Sequence, residues 1–447
     1  MSLAMKNAAP LRALVAGCLI ALALSGCGIF DKKKVPLVGD RVSVFADHGE
    51  LEADKDTAAL QIVLPAPVVN DSWPQSGGFA NYAMQHLAIG DSPQVVWTAN
   101  IGKGTTSSRI LTTPPVVADG KVFTKDAEST VSAFDAETGK VLWSVTLKPE
   151  KARDGDEFGG GLAWYGGRLF VTTGFAEVFS LNPNTGEEFW HSSVSAPVRG
   201  APLVFGDRVF STSIDNKLHA MAAVDGSDLW SFSGLSEVAG YVGGNSPAGS
   251  QDYVVAPFTS GELVALRLDN GRVVWNESLV GANRGELRAF GNLADIRGRP
   301  VIDRGLVFAM GSAGQISAFD LNSGRRLWDR PIGGNQTPWA AGNFVYVVTG
   351  AADVAALSRD TGAVKWSTPL TQYADAKRTK PILWGGPVLA GDRLLVGGTT
   401  GEMLSISPYN GEVLGKLDMH APIRLAPVVA NRTVYVLTDT GQLVVLR

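Results

Sequence analysis

Ala133-Phe134-Asp135-Ala136-Glu137-Thr138-Gly139-Lys140-Val141-Leu142-Trp143 is the stretch that decides the fold. Glycine at its seventh place allows the positive φ of a tight turn, and the Asp and Thr beside it can bond back to the backbone. The turn joins two antiparallel strands. The tryptophan then lies on the outer strand, where a large flat side chain can cover the seam with a neighbouring sheet while its N–H finds an acceptor. Further copies run Ser180 to Trp190, Ala220 to Trp230, Ala265 to Trp275, Ala318 to Trp328 and Ala356 to Trp366. A seventh, Ser405 to Gly415, keeps Gly411 but has lost the tryptophan. Successive tryptophans from Trp143 stand 47, 40, 45, 53 and 38 residues apart, room for about four short strands with turns, which is the length of a propeller blade.

Upstream of each unit comes a proline or small residue, a short apolar strand, a turn and a second strand. Pro115-Val116-Val117 to Val122-Phe123, Pro202-Leu203-Val204 to Val209-Phe210 and Pro427-Val428-Val429 to Val434-Tyr435 are examples. Adjacent apolar residues suit sheets covered on both faces. Gly441 to Arg447 reaches only the third place of a unit, whereas Val95-Val96-Trp97 has the tryptophan strand with no turn before it. The N-terminal strand should therefore complete the last blade. The expected fold is all-β, an eight-bladed propeller over residues 93–447 with four-stranded antiparallel blades, and Trp97, Trp143, Trp190, Trp230, Trp275, Trp328 and Trp366 at its seams. Closure removes open sheet edges. A helical solenoid is disfavoured, because the apolar runs are short and broken by glycine every few residues.

Composition agrees with this reading. The 447 residues are 45% hydrophobic and 18% charged, with 52 Gly and 23 Pro. That is a globular, turn-rich chain. A formal charge of −4 without a long basic block gives no reason to expect nucleic acid as the partner. Two cysteines exclude a disulfide scaffold and multi-cysteine metal sites.

Lys6 and Arg12 give a positive start and Leu11 to Leu24 is almost wholly apolar, a stretch too short for a comfortable membrane span and laid out as a secretory signal. It ends Leu24-Ser25-Gly26-Cys27, matching a lipobox. Residues 1–26 are expected to be a lipoprotein signal peptide and Cys27 the site of lipid attachment. Gly28 stands where Asp would suggest retention at the inner membrane, so by resemblance to sorted lipoproteins the destination is the outer membrane, periplasmic face. Residues 27–92 read as a flexible tether.

Nothing in the chain carries a catalytic motif. His48, His86, His191, His219 and His420 have no metal-ligand spacing, and no G-x-S-x-G, P-loop or H-E-x-x-H is present. Neither a metal nor a cofactor is expected. The unusual loop is Trp275 to Pro300, which contains Leu287 to Arg299 with apolar residues interleaved with charges. On a surface, such a mixture suits protein recognition. The preceding connection, Ser236 to Asn245, should emerge at the same rim. Tyr241, Val242, Phe290, Leu293, Asp295, Ile296 and Arg297 are the candidate docking residues.

The repeat resembles the pyrroloquinoline-quinone-type propeller repeat, A-x-D-x-x-T-G-x-x-x-W. That resemblance admits a second reading, a quinone-dependent dehydrogenase with calcium in the central channel. The adjacent cysteines typical of the alcohol-oxidising members are missing, since Cys18 and Cys27 both lie in the export segment. Lipobox, tether, eight blades and the extended loop together resemble the BamB family, lipoprotein subunits of the outer-membrane β-barrel assembly (BAM) complex. The resemblance implies a non-catalytic scaffold whose two neighbouring blade loops bind a periplasmic POTRA domain of BamA. It also implies other assembly-complex subunits, and unfolded outer-membrane proteins, as partners. Asp295 matches a family contact carboxylate. A second acidic position falls on Arg297, and the Leu and Arg contacts of the earlier loop fall near Gly240, Val242 and Gly243.

Overall fold

The turn predicted at the seventh place forms as its chemistry dictates. In the first unit Asp135 O accepts from Gly139 N at 2.9 Å, and Asp135 Oδ1 accepts from both the backbone N–H and the hydroxyl of Thr138, at 2.8 and 2.7 Å. Gly139 takes φ +71°, a conformation that costs a side chain. The same turn recurs in the later units. A computed structural model of the chain describes residues 51–149, 159–235, 244, 246–280, 295–312 and 314–447. Signal peptide, Cys27 and the first part of the expected tether lie outside these.

The described strands form eight antiparallel sheets of four, as the repeat count requires. Blades 1 to 7 are continuous in sequence: Val116–Thr146, Gly161–Ser193, Leu203–Ser233, Ala248–Ser278, Val301–Arg330, Trp339–Pro369 and Trp384–Asp418. Blade 8 takes three strands from Val428–Leu446, and its fourth is β1 (Val95–Asn100), paired antiparallel with the strand Gln442–Leu446. The ring is thus closed by the two sides of the chain, as its interrupted units predict. Inner strands such as Val116–Ala118 are buried, whereas outer strands such as Val141–Thr146 alternate between exposed and partly covered.

Seven of the eight seams are built the same way. Trp275 Nε1 of blade 4 donates to Leu321 O of blade 5 at 2.7 Å, and Trp328 Nε1 of blade 5 to Arg359 O of blade 6 at 2.8 Å. Trp97, Trp143, Trp190, Trp230 and Trp366 make the corresponding bond at 3.0 to 3.3 Å. The indole lies flat on the glycine of the next blade's turn, so that a Cβ at Gly139, Gly226 or Gly324 would come within 2.5 Å of the ring carbons. The glycine is therefore required twice, for its φ and for the space its missing side chain leaves to the indole.

This explains why the seventh unit has no tryptophan. The blade that follows it, blade 8, has no turn between its third and fourth strands, because the fourth comes from the N-terminal side. A tryptophan at 415 would have neither glycine nor carbonyl to meet, and a Cβ there would find nothing within 4 Å. The outer strand Val413–Asp418 is accordingly exposed along its length. Gly415→Trp should change the urea midpoint by no more than about 0.5 kcal/mol equivalent, the range of a surface change that touches nothing. A gain above that would mean an acceptor exists at this seam.

The expected flexible tether is corrected over its described part. Residues 51–92 pack onto the propeller, burying Ile62, Trp73, Tyr82, Met84 and Leu87. Asp54 N bonds Val364 O at 2.8 Å on the outer strand of blade 6, followed by the short helix α1 (Lys55–Ala58). From Asn70 to Leu87 the segment then crosses the channel as a strap that engages the innermost strand of every blade. Trp73 exchanges backbone bonds with Val117, Pro74 O accepts from Trp164 N, and the Gln75 amide pairs with both backbone groups of Val204. Ala80 O accepts from Gly249 N, Asn81 O from Ile302 N, and Gln85 O from Trp339 Nε1. Leu87 N donates to Leu389 O, and Asn70 Nδ2 to Val429 O. The inner edge of a propeller blade has no sheet neighbour, and a buried backbone group without a partner is costly, so this pairing satisfies groups that the ring alone leaves open.

Candidate functional site

Strands alternate in direction within a blade, so the links between blades emerge at one rim and the glycine turns at the other. At the first rim the connections after blades 3 and 4 meet at their roots. A Cβ at Gly244 would lie 2.6 Å from Arg297 O, so the two links run backbone against backbone, and Gly244 at φ +87° is the residue that permits it. The two loops expected to form one patch do leave the fold side by side. Their outer parts, with Tyr241, Val242, Phe290 and Leu293, lie outside the described residues.

The remaining candidates are at the root. Asp295 and Ile296 are fully buried and Arg297 is half-buried. Ile296 N reaches Phe258 O at 3.4 Å and Asp295 O accepts from Ser312 N at 2.9 Å. Burial holds the Arg199 guanidinium below its usual range, and the Asp295 carboxylate acts against that shift. The expectation that Asp295 and Ile296 present their side chains to a partner is thereby corrected. In this chain they fasten the loop to blades 4 and 5. Charges interleaved with apolar residues read as a surface, and nothing in the sequence distinguishes a carboxylate turned inward toward an arginine of another blade.

One constellation has the residue types of nucleophilic catalysis. Ser195 Oγ and Ser213 Oγ each lie 3.1 Å from His219 Nε2, and Asp215 accepts hydrogen bonds from both serines. The carboxylate bonds the hydroxyls rather than the imidazole Nδ1, so it does not orient a base. It locks the serines in place.

A quinone with calcium would need oxygen ligands converging in the channel. Among the described residues no group of three or more His, Cys, Asp or Glu could hold a metal ion. The strap's Trp73 stacks on Trp339 at 6.3 Å, and Tyr82 and Met84 are buried. These residues do not fit that cofactor.

Eight four-stranded blades, joined by tryptophan seams and carrying no converging donor set among the described residues, define a propeller of the quinone-type repeat class. The family model described as "Outer membrane protein assembly factor BamB" matches residues 127–368 and 372–447, and the chain belongs to that family. Among relatives so named, that of Burkholderia pseudomallei is 28% identical over 353 residues, 78% of this chain and 86% of that protein. The Yersinia pestis protein is 25% identical over 78% of this chain and 88% of its own length. The crystal structure of BamB from Moraxella catarrhalis aligns with a TM-score of 0.68 at 18% identity, covering 80% of this chain and all of that one. A quinohemoprotein alcohol dehydrogenase from Comamonas testosteroni aligns at TM-score 0.65 and 14% identity, over 84% of this chain and 80% of that chain, a likeness of fold alone.

Proposed function

We propose that this chain is a non-catalytic scaffold lipoprotein of the outer-membrane β-barrel assembly complex. It is anchored through Cys27 at the periplasmic face of the outer membrane and docks through its paired rim loops on the POTRA region of BamA, assisting the folding and insertion of barrel proteins. Family membership supports the assembly role. The observation that carries the docking reading is the juxtaposition of Gly244 with Arg297, which brings two connections from neighbouring blades out at one point of the rim. The reading assigns attachment to acyl chains on Cys27, which contribute about 0.8 kcal/mol per buried CH₂; among the described residues no helix is long and apolar enough to cross a membrane.

The candidate residues divide by role. Tyr241, Val242, Phe290 and Leu293 supply the contacts, with half-buried Arg297 at the edge, while Asp295 and Ile296 hold the loop. Phe290→Asp combined with Leu293→Asp should abolish co-purification of BamA from detergent-solubilised envelopes and leave the melting temperature unchanged. Asp295→Asn should instead lower the melting temperature. Undiminished co-purification of the double variant would remove this rim as the docking surface.

A further inference from the structure

Arg299, the last residue before the inner strand of blade 5, lies inside the channel wall and is used by nothing described above. Its backbone N–H donates to Thr337 Oγ1 at 3.1 Å, and its Nη2 donates to Ser76 Oγ of the strap. The guanidinium sits over the Tyr82 ring, 5.6 Å from the centroid. Gly77 makes this nesting possible, since a Cβ there would stand 2.6 Å from Tyr82 and 3.0 Å from Arg299 Cδ.

Among the described residues no carboxylate pairs with this guanidinium. Its neighbours are a hydroxyl, a phenol and backbone. Tyr82 supplies no negative charge, because burial pushes its hydroxyl up to about 12 and it donates to Pro247 O at 3.0 Å. Arg299 Nε is closed off from solvent and has no hydrogen-bond partner, and at the corresponding step of blade 4 the buried Ser246 Oγ also has none. Burial holds the guanidinium below its usual range, the sign expected of a cation desolvated without a counter-charge. A lone buried cation is costly, whereas a guanidinium fork facing an oxyanion makes short, paired, charge-assisted bonds. The residue as a whole retains some exposure.

We infer that the channel holds a small oxyanion site, for a carboxylate or phosphate, with Arg299 as the ligand and Ser76 and Tyr82 of the strap fixing its plane. The site lies at the foot of the loop after blade 4, outside the residues proposed to contact the partner. Because it is half built from the strap, occupancy draws the strap and blade 5 together.

The test titrates the full chain in detergent with inorganic phosphate and, separately, acetate, at constant ionic strength made up with chloride, reading binding by calorimetry and the melting temperature in parallel. Saturable binding of at least one ion is expected, with a rise in melting temperature. Arg299→Met should weaken it by at least about tenfold, the loss expected for hydrogen bonds from a charged donor. Should that variant fail to fold, Arg299→Lys keeps the charge but loses the fork and should bind measurably more weakly than the parent. Saturation by phosphate alone or acetate alone identifies the oxyanion. Absence of saturable binding, or equal binding by parent and variants, would overturn the site.

Discussion

A chain from which residues 51–92 have been deleted should fail to form a stable ring, losing cooperative thermal unfolding and exposing surface that binds hydrophobic dyes. Ile62, Trp73, Tyr82, Met84 and Leu87 are each at most 5% exposed. At about 2 kcal/mol for each large apolar side chain buried, the segment contributes about 10 kcal/mol. A domain's net stability is itself only about 5–15 kcal/mol. The deletion also removes the strap partners of inner-strand backbone groups in seven blades and the acceptor of the Trp339 indole in blade 6. The measurement is a calorimetric melt of the deletion variant beside the full chain. If the two melt within about 2 °C of each other, the strap contributes almost nothing and the tether reading of residues 51–92 is reinstated.

The second large effect is expected at a seam. Gly324→Val should destabilise by about 4 kcal/mol or more, the range reserved for overpacking combined with a forbidden backbone conformation. Gly324 has φ +71°, where a β-branched residue is strained, and its Cβ would stand 2.5 Å from Trp275 Cγ. The indole cannot retreat, since it is stacked 6.0 Å from Phe319 and held by its bond to Leu321 O. Trp275→Phe, which keeps a ring but drops the N–H, should cost only about 1 kcal/mol from the hydrogen bond, plus the lost ring area. Equal effects from the two changes would show that the glycine serves the turn alone and not the seam. Urea denaturation of both variants separates the cases.

The ring was legible because its determinants are local and repeat. Asp135, Thr138, Gly139 and Trp143 act within eleven residues, and the absence of Trp at 415 together with the isolated Trp97 strand marks the place where the ring joins. The strap was not legible. Its contacts are long-range and largely through backbone atoms, and the side chains that take part, Gln75 and Asn70, resemble those of any solvated linker. The candidate rim was legible as a location, since loop length and the spacing of prolines place it. The division of labour within it was not, because the inward turn of Asp295 depends on Arg199 almost a hundred residues earlier, and no periodicity signals such a pair. Arg299 followed the same rule. Next to Pro300 it reads as one more loop charge, and only the arrival of Ser76 and Tyr82 shows it enclosed.

Pairing of β1 with Gln442–Leu446 fixes the timetable of folding. During synthesis the strand at 95–100 emerges before every blade, and its hydrogen-bonding partner arrives some 340 residues later. Until then the chain carries one open edge and one incomplete sheet, and such edges recruit any extended chain they meet. Maturation therefore hinges on the slowest, longest-range contact in the molecule, and premature termination anywhere before blade 8 leaves an adhesive half-ring instead of a shorter but usable protein.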